Sequence, residues 1–242
     1  MCWDIAIIGG GIAGITAAIY ARRASKTVIL IEKESFGGQI TLSANVENYP
    51  GVDSISGAML ASNLVNQAVA LGVNLEIDEV ISISKNINDT FVIKTEFGEY
   101  NSKAVIIATG LRHRKPDEEG VDRFLSKPNI VRVENSLLTS INGDKHIESI
   151  TVSNVIDGSS KQISVDGVFA ALGHIPSNEL FESLTKLDSN GFIIADEHCT
   201  TDTTGLFVAG DCRTKAVRQL TTAASDGAIA AISAVKYVDS IR

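Results

Sequence analysis

The sequence predicts an α/β fold in three layers: a central parallel sheet, a layer of helices and a small antiparallel sheet. Three observations predict it. Asp4 to Ile8 is a short apolar run that leads straight into Gly9-Gly10-Gly11-Ile12-Ala13-Gly14. A stretch of small residues at helical spacing, roughly Ala13 to Ala24, follows; a second apolar run, Thr27 to Ile31, then ends in Glu32. Further along, short apolar runs return at 105–108, 168–172 and 206–209, each long enough for one more buried strand.

The first five pieces form a Rossmann-type βαβ unit. The glycines fit G-x-G-x-x-G: Gly9 permits the tight turn, Gly11 lets a pyrophosphate approach the backbone, and Gly14 lets the helix pack on its strand. The helix that opens at Ile12 and Ala13 points its amides and positive dipole end at the phosphates. Glu32, about 20 residues beyond the glycines, can accept hydrogen bonds from an adenosine ribose. A dinucleotide site is therefore expected.

Lys33 to Gly51 is a loop containing Gly37-Gly38-Gln39 and Val46-Glu47-Asn48-Tyr49-Pro50-Gly51. Paired glycines admit a flat ligand close to the backbone, and a loop this long is usually functional. A helix is expected over Ser56 to Leu71, with Met59, Leu60, Leu64, Ala68 and Leu71 on its apolar stripe and Gly72 as its stop. Strands are expected at Val73–Ile77, Val80–Ser84, Thr90–Thr95, Glu99–Asn101 and Val105–Ala108. Lys115 to Pro128 reads as a linker. Ile130–Val133, Ser136–Ile141, Ile147–Asn154 and Gln162–Val165 read as a small antiparallel meander, with Asn142-Gly143 and Asp157-Gly158 as turn signals. Val168–Leu172 reads as a returning buried strand. A short helix at Asn178–Leu184, strands at Phe192–Ala195 and Leu206–Ala209, and a closing helix over Leu220–Tyr237 complete the chain.

Composition narrows the function. A formal net charge of −8 argues against nucleic acid or an anionic membrane as partner, and 5% aromatic content argues against a base-stacking platform. The first strand begins almost at Met1, and no apolar run reaches membrane-spanning length, so no signal peptide and a cytoplasmic location are expected. Cys2, Cys199 and Cys212 lack C-x-x-C spacing and are expected to be reduced thiols. The histidines His113, His146, His174 and His198 are scattered, and no metal site is expected.

Several separated motifs then agree. Ile7-Ile8-Gly9-Gly10-Gly11-Ile12-Ala13-Gly14, Gly38-Gln39, Glu47-Asn48-Tyr49-Pro50-Gly51, Ile107-Ala108-Thr109-Gly110, Asp166-Gly167-Val168-Phe169, Gly173-His174-Ile175-Pro176, Val208-Ala209-Gly210-Asp211-Cys212-Arg213, Arg218-Gln219-Leu220 and Ala228-Ile229-Ala230-Ala231 occur in that order. On these residues the chain resembles the FAD-binding half of low-molecular-weight thioredoxin reductase. The resemblance implies an FAD-binding Rossmann-type three-layer fold and a set of roles. Gly9, Gly11, Ile12, Ala13 and Gly14 would hold the FAD pyrophosphate; Glu32, with Lys33 beside it, would hold the adenosine ribose. Val80 would reach the adenine through its backbone. Gly38, Gln39 and Asn48 would line the flavin, and Ala108, Thr109 and Gly110 would close the site. Gly210 and Asp211 would hold the ribityl chain. Arg218, Gln219 and Leu220 would sit at the pyrimidine end of the ring, where a helix N-terminus favours negative charge. His174 is expected to be structural.

The departures are equally specific. The family inserts a second nucleotide domain between Arg114 and the returning strand at Val168. That domain carries its own glycine fingerprint for NADPH and a redox-active C-x-x-C. This sequence has neither a second G-x-G-x-x-G nor any C-x-x-C. The expected organisation is an FAD-binding domain, 1–114 and 166–242, with 115–165 a linker plus a small meander, the remnant of the NADPH domain. No catalytic side chain is assigned. Three functions stay open: an FAD-dependent oxidoreductase or electron carrier fed by a redox protein such as ferredoxin, flavodoxin or a thioredoxin-like partner; a thioredoxin-disulfide reductase subunit working with a second chain; and a non-enzymatic or engineered FAD-binding core. The resemblance also implies a homodimer.

Overall fold

The computed structural model describes residues 1–113, 127–168 and 173–241. The chain forms two units, one from Met1–Arg112 with Ile175–Arg242, the other from His113–His174. The first unit is organised around β1 (Cys2–Ile8), in which Asp4 to Ile8 are all buried. Burial on both faces is why this strand reads as an unbroken apolar run rather than an alternation.

β1 pairs in parallel with β2 (Val28–Glu32) on one side and with β6 (Glu99–Ile107) on the other. β3 (Asn74–Ile77) extends the sheet in parallel beyond β2. β12 (Leu206–Val208) pairs in parallel with the C-terminal half of β6, from Leu206 opposite Val105 to Val208 opposite Ile107. The N-terminal half of β6 instead takes β5 (Phe91–Thr95) in antiparallel pairing, and β5 takes β4 (Val80–Lys85). One strand thus belongs to both the parallel sheet and the antiparallel layer. The two runs expected at Glu99–Asn101 and Val105–Ala108 are this single strand. Ser102 and Lys103 look like a polar break between them, but the Ser102 hydroxyl donates to the Ala104 carbonyl at 2.7 Å and the Lys103 ammonium reaches Asp4 at 2.8 Å.

Among the described residues, this unit has three α-helices: α1 (Ile12–Arg23), α2 (Gly57–Ala70) and α3 (Leu220–Ser240). α1 and α3 pack nearly backbone to backbone; a Cβ added at Gly227 would lie 2.2 Å from the Ala13 carbonyl oxygen. Their facing alanines share one buried cluster with Ile5, Ile7, Leu30 and Ile106. The Ser56 hydroxyl caps α2 by accepting the Met59 amide at 3.2 Å. The buried face of α2 runs through Leu60, Ala61 and Ala68, whereas Met59 is 56% exposed and falls outside the stripe expected to include it.

Other local expectations are corrected. Asn178–Leu184 contains only a one-turn 3-10 helix, Glu179–Phe181. Phe192–Ala195 is not a strand; Ile193 alone makes single bridges to Leu187 and Arg213. Ile130–Val133 forms no strand. The 33–51 loop contains a 3-10 turn, Gly38–Leu42. Of the expected linker at Lys115–Pro128, residues 115–126 lie outside the described residues, as do 169–172 of the expected returning strand. β7 (Leu111–His113) pairs with β11 (His174–Pro176). The second unit contains a three-stranded antiparallel sheet of β8 (Ser136–Asn142), β9 (Ser149–Asn154) and β10 (Ser160–Ser164).

Asp4 is the one charged residue inside β1. One oxygen accepts the Thr27 amide at 2.9 Å and its hydroxyl at 3.0 Å; the other accepts the Lys103 ammonium at 2.8 Å. Burial alone would raise this carboxyl, but Lys103 and Thr27 outweigh it and hold the pKa at about 2. A depressed folded pKa stabilises above the unfolded value, and that stability is lost as pH falls through the folded one. The Asp4→Asn variant should lose about 2 kcal/mol at neutral pH and show a flatter decline between roughly pH 4 and pH 2, read from urea unfolding.

Candidate functional site

The glycine turn after β1 sits where two strand exits meet. Gly9 has φ +109°, and a Cβ there would lie 2.3 Å from the Ala108 carbonyl oxygen, against the exit of β6. A Cβ at Gly14 would lie 1.9 Å from the Gly9 carbonyl oxygen, so glycine is what lets α1 start on top of the turn. Gly11 differs: a Cβ there would meet nothing within 4 Å. It precedes α1 in an extended conformation, and no side chain caps that helix end. An uncapped N-terminus beside open space is a place for phosphate oxygens.

Glu32, at the end of β2, accepts the Gly10 amide at 2.6 Å through one oxygen and the Glu34 amide at 3.0 Å through the other. Its carboxylate is thereby anchored at the glycine turn. Lys33 follows it, exposed and 3.7 Å from Glu34. The Asp78 amide donates to the Glu32 carbonyl at 2.9 Å, so β3 carries the start of β4, Val80, to the same corner.

The second glycine pair joins from the other side. Gly37 donates to the Gly10 carbonyl at 2.7 Å, and a Cβ at Gly38 would lie 3.2 Å from the Gly11 Cα. The Gln39 side chain donates to the Leu111 carbonyl, just after Thr109-Gly110. Gly110, at φ +65°, also faces open space, with nothing within 4 Å of an added Cβ. Asn48 donates to the Gln219 side-chain oxygen at 3.3 Å. Gln219 caps α3 in a reciprocal box with Thr222, so part of the helix end expected to face a ring is occupied by its own cap. Leu220, the first residue of α3, is partly buried against the core.

The turn Gly210–Cys212 follows β12 and closes the circle; a Cβ at Gly210 would lie 2.9 Å from the Ala13 Cβ. Asp211 is half-buried in this turn, and its backbone oxygen accepts the Arg218 Nε at 3.3 Å. The Arg218 guanidinium carbon stands over the Phe192 ring, 4.1 Å from its centroid. Behind the turn, the Gly210 amide donates to Asp226 at 3.1 Å. Asp226 also accepts a two-pronged contact from Arg213, both bonds at 2.9 Å, and the Lys215 ammonium at 2.8 Å. Burial would raise this carboxyl, but the two cations outweigh it and hold its pKa below the ordinary value.

The structure therefore brings the expected residues from the turns after β1, β2, β6 and β12, the 37–48 loop and the start of α3 into one ring of neighbours. Sequence reasoning missed three supporting side chains: Asp226, Phe192 and Asn178. Asp226 carried a signal, being a carboxylate in the middle of an alanine-rich helix face. Phe192 and Asn178 carried none. Cys199 and Cys212 are buried, and burial pushes the Cys199 thiol up to about 12 and raises that of Cys212 as well. At both positions burial disfavours the thiolate.

A family model described as pyridine nucleotide-disulphide oxidoreductase matches residues 3–135 and 122–227. The chain belongs to this family. A 34.2 kDa protein in a rubredoxin operon of Clostridium pasteurianum is 34% identical, with 97% of each chain covered. Thioredoxin reductase of Lactococcus lactis is similar in structure, with TM-score 0.75, 30% identity, and 98% of this chain and 99% of that one covered. A ferredoxin-flavin thioredoxin reductase of Clostridium acetobutylicum shares the fold, with TM-score 0.69, 23% identity, and 100% and 99% covered. The Clostridium pasteurianum alignment has 298 positions against 242 residues, so at least 56 of them have no residue here.

The chain is a thioredoxin reductase-like FAD-binding domain, and members of the family are FAD-binding flavoproteins. The residues present fit that cofactor. Gly11 and Gly110 each have open space where a Cβ would stand, and Gly11 is the N-cap of the uncapped end of α1. The Glu32 carboxylate stands at the same turn. Among the described residues, no helix is long and apolar enough to cross a membrane.

Proposed function

We propose that this chain is an FAD-dependent redox carrier of thioredoxin reductase type that receives electrons from a partner protein and has no nicotinamide site or redox disulfide of its own. The observation that carries this reading is in the sequence: one G-x-G-x-x-G and no C-x-x-C in a family that uses two fingerprints and a disulfide. The 56 or more positions by which an aligned relative exceeds this chain point the same way. The partner is a small redox protein of the ferredoxin, flavodoxin or thioredoxin type; the ferredoxin-flavin enzyme of similar fold supports this class. The FAD-binding domain is 1–114 with 166–242, residues 115–165 are the remnant of a shortened second domain, and the working form is a homodimer.

Bound FAD supplies the electron-accepting chemistry; the chain's residues bind it, orient it and shape its surroundings. Amides at Gly11, Ile12 and Ala13 receive the pyrophosphate, with Gly9 and Gly14 setting the turn. Glu32 accepts the ribose hydroxyls beside Lys33, and the backbone of Val80 meets the adenine. Gly38, Gln39, Asn48 and Ala108 to Gly110 border the ring. Gly210 and Asp211 hold the ribityl chain, and Arg218, Gln219 and Leu220 lie at the pyrimidine end.

Anaerobic reduction of the holoprotein tests this reading. NADPH or NADH should leave the flavin absorbance unchanged for minutes, while reduced ferredoxin or flavodoxin should bleach it. Fast bleaching by NADPH would overturn the proposal, and so would inertness to every protein donor. Thioredoxin reduction that appears only on adding a second polypeptide would assign the chain instead as a reductase subunit.

A further inference from the structure

We propose that Asn178 is a positioning residue for the flavin: its buried side chain clamps the loop after β6 to the turn after β12. It rests on the reading that FAD lies between the Thr109–Gly110 loop and Asp211. Asn178 is 1% exposed. Its Nδ2 donates to two carbonyls, of Gly191 and of Cys212, each at 2.8 Å. Its Oδ1 accepts the Thr109 hydroxyl at 3.4 Å. The amide orientation is dictated by these partners, because the flipped side chain would set its oxygen against two carbonyl oxygens.

The three partners matter because of what adjoins them. Thr109 stands between Ala108 and Gly110, the glycine with open space in front of it. Cys212 directly follows Asp211, and its carbonyl also accepts the Ile193 amide at 3.1 Å. Ile193 neighbours Phe192, on which Arg218 lies. A single amide therefore ties the two strand exits on either side of the ring, plus the support of Arg218, into one frame. Both amide hydrogens are used, so no other neutral side chain of this size replaces it. Asn178→Asp keeps the shape and the acceptor but turns an oxygen toward two carbonyls; Asn178→Ser removes the reach without adding charge.

The test compares wild type, Asn178→Asp, Asn178→Ser and a control, Thr185→Val. Thr185 is also buried, donates to Asp202 at 2.8 Å, and is not one of the ring of neighbours. Each apoprotein is titrated with FAD, and the visible spectrum and midpoint potential of the bound flavin are recorded beside the apoprotein melting temperature. Both Asn178 variants should bind FAD about tenfold or more weakly, with a displaced spectrum and potential. Thr185→Val should lose melting temperature while keeping affinity, spectrum and potential. Asn178 variants that lose only melting temperature would overturn the proposal in favour of a purely structural role, as would failure of both to give folded apoprotein. A wild type that takes up no FAD would instead overturn the proposed function itself.

Discussion

The Gly11→Val variant is expected to fold as the wild type does and to lose FAD. Position 11 is extended backbone, with φ −75° and ψ −176°, a conformation that valine adopts freely. An added Cβ meets no atom within 4 Å beyond its own chain neighbours, so the side chain enters open space. Its cost falls on whatever occupies that space, which is where the uncapped α1 end would receive the pyrophosphate. FAD affinity should fall by at least about 100-fold, roughly 2.7 kcal/mol, with the apoprotein melting temperature unchanged. Gly14→Ala supplies the contrast. Its Cβ would stand 1.9 Å from the Gly9 carbonyl oxygen, so that smaller substitution should prevent α1 from seating and lose fold and cofactor together. Calorimetry of the two apoproteins and fluorescence titration with FAD separate the two effects.

Asp226→Asn should be among the most destabilising single substitutions in the chain. It takes from Arg213 and Lys215, whose side chains are 9% and 7% exposed, the carboxylate that both of them contact. Removing one partner of a buried charge group costs about 3–5 kcal/mol, a large share of the 5–15 kcal/mol or so that holds a typical domain. The Gly210 amide loses a charged acceptor in the same step, so the Asp211 turn loosens. The pH dependence follows from the depressed carboxyl. Its contribution is complete above the unfolded carboxylate pKa, near 4 or so, and disappears as pH falls through the lower folded value. Guanidinium unfolding should show Asp226→Asn destabilised at neutral pH and converging on wild type in acid. The triple variant Asp226→Leu, Arg213→Met, Lys215→Met, with no charge left to bury, should cost less than Asp226→Asn alone.

What could be read from sequence divides along a physical line. β1, α1 and β2 were legible because each obeys a local rule: an apolar run buried on both faces, glycines at fixed offsets, a carboxylate at the strand end. The glycine turns at 9–14, 37–38 and 210 were legible for the same reason, since their backbone demands are written in their own residues. β6 was not, because Lys103 is satisfied by a partner that only the fold supplies, Asp4 on the neighbouring strand, while Ser102 bonds back to the Ala104 carbonyl of its own strand. Phe192–Ala195 failed in the opposite sense. It has strand-like residues, but Ile193 finds only single bridges and no continuous partner. Met59 shows the limit of periodicity: a helix stripe one residue wide of the mark still scores as amphipathic. Asn178 was invisible because its role is three long-range hydrogen bonds, and a lone Asn before a short turn looks like any other loop residue.

The most direct measurement is FAD reconstitution of the apoprotein, followed by absorbance in the flavin bands and by the stoichiometry of uptake. One FAD per chain is expected, bound without a covalent link and released on denaturation. A chain that stays colourless at saturating FAD while fully folded would contradict it.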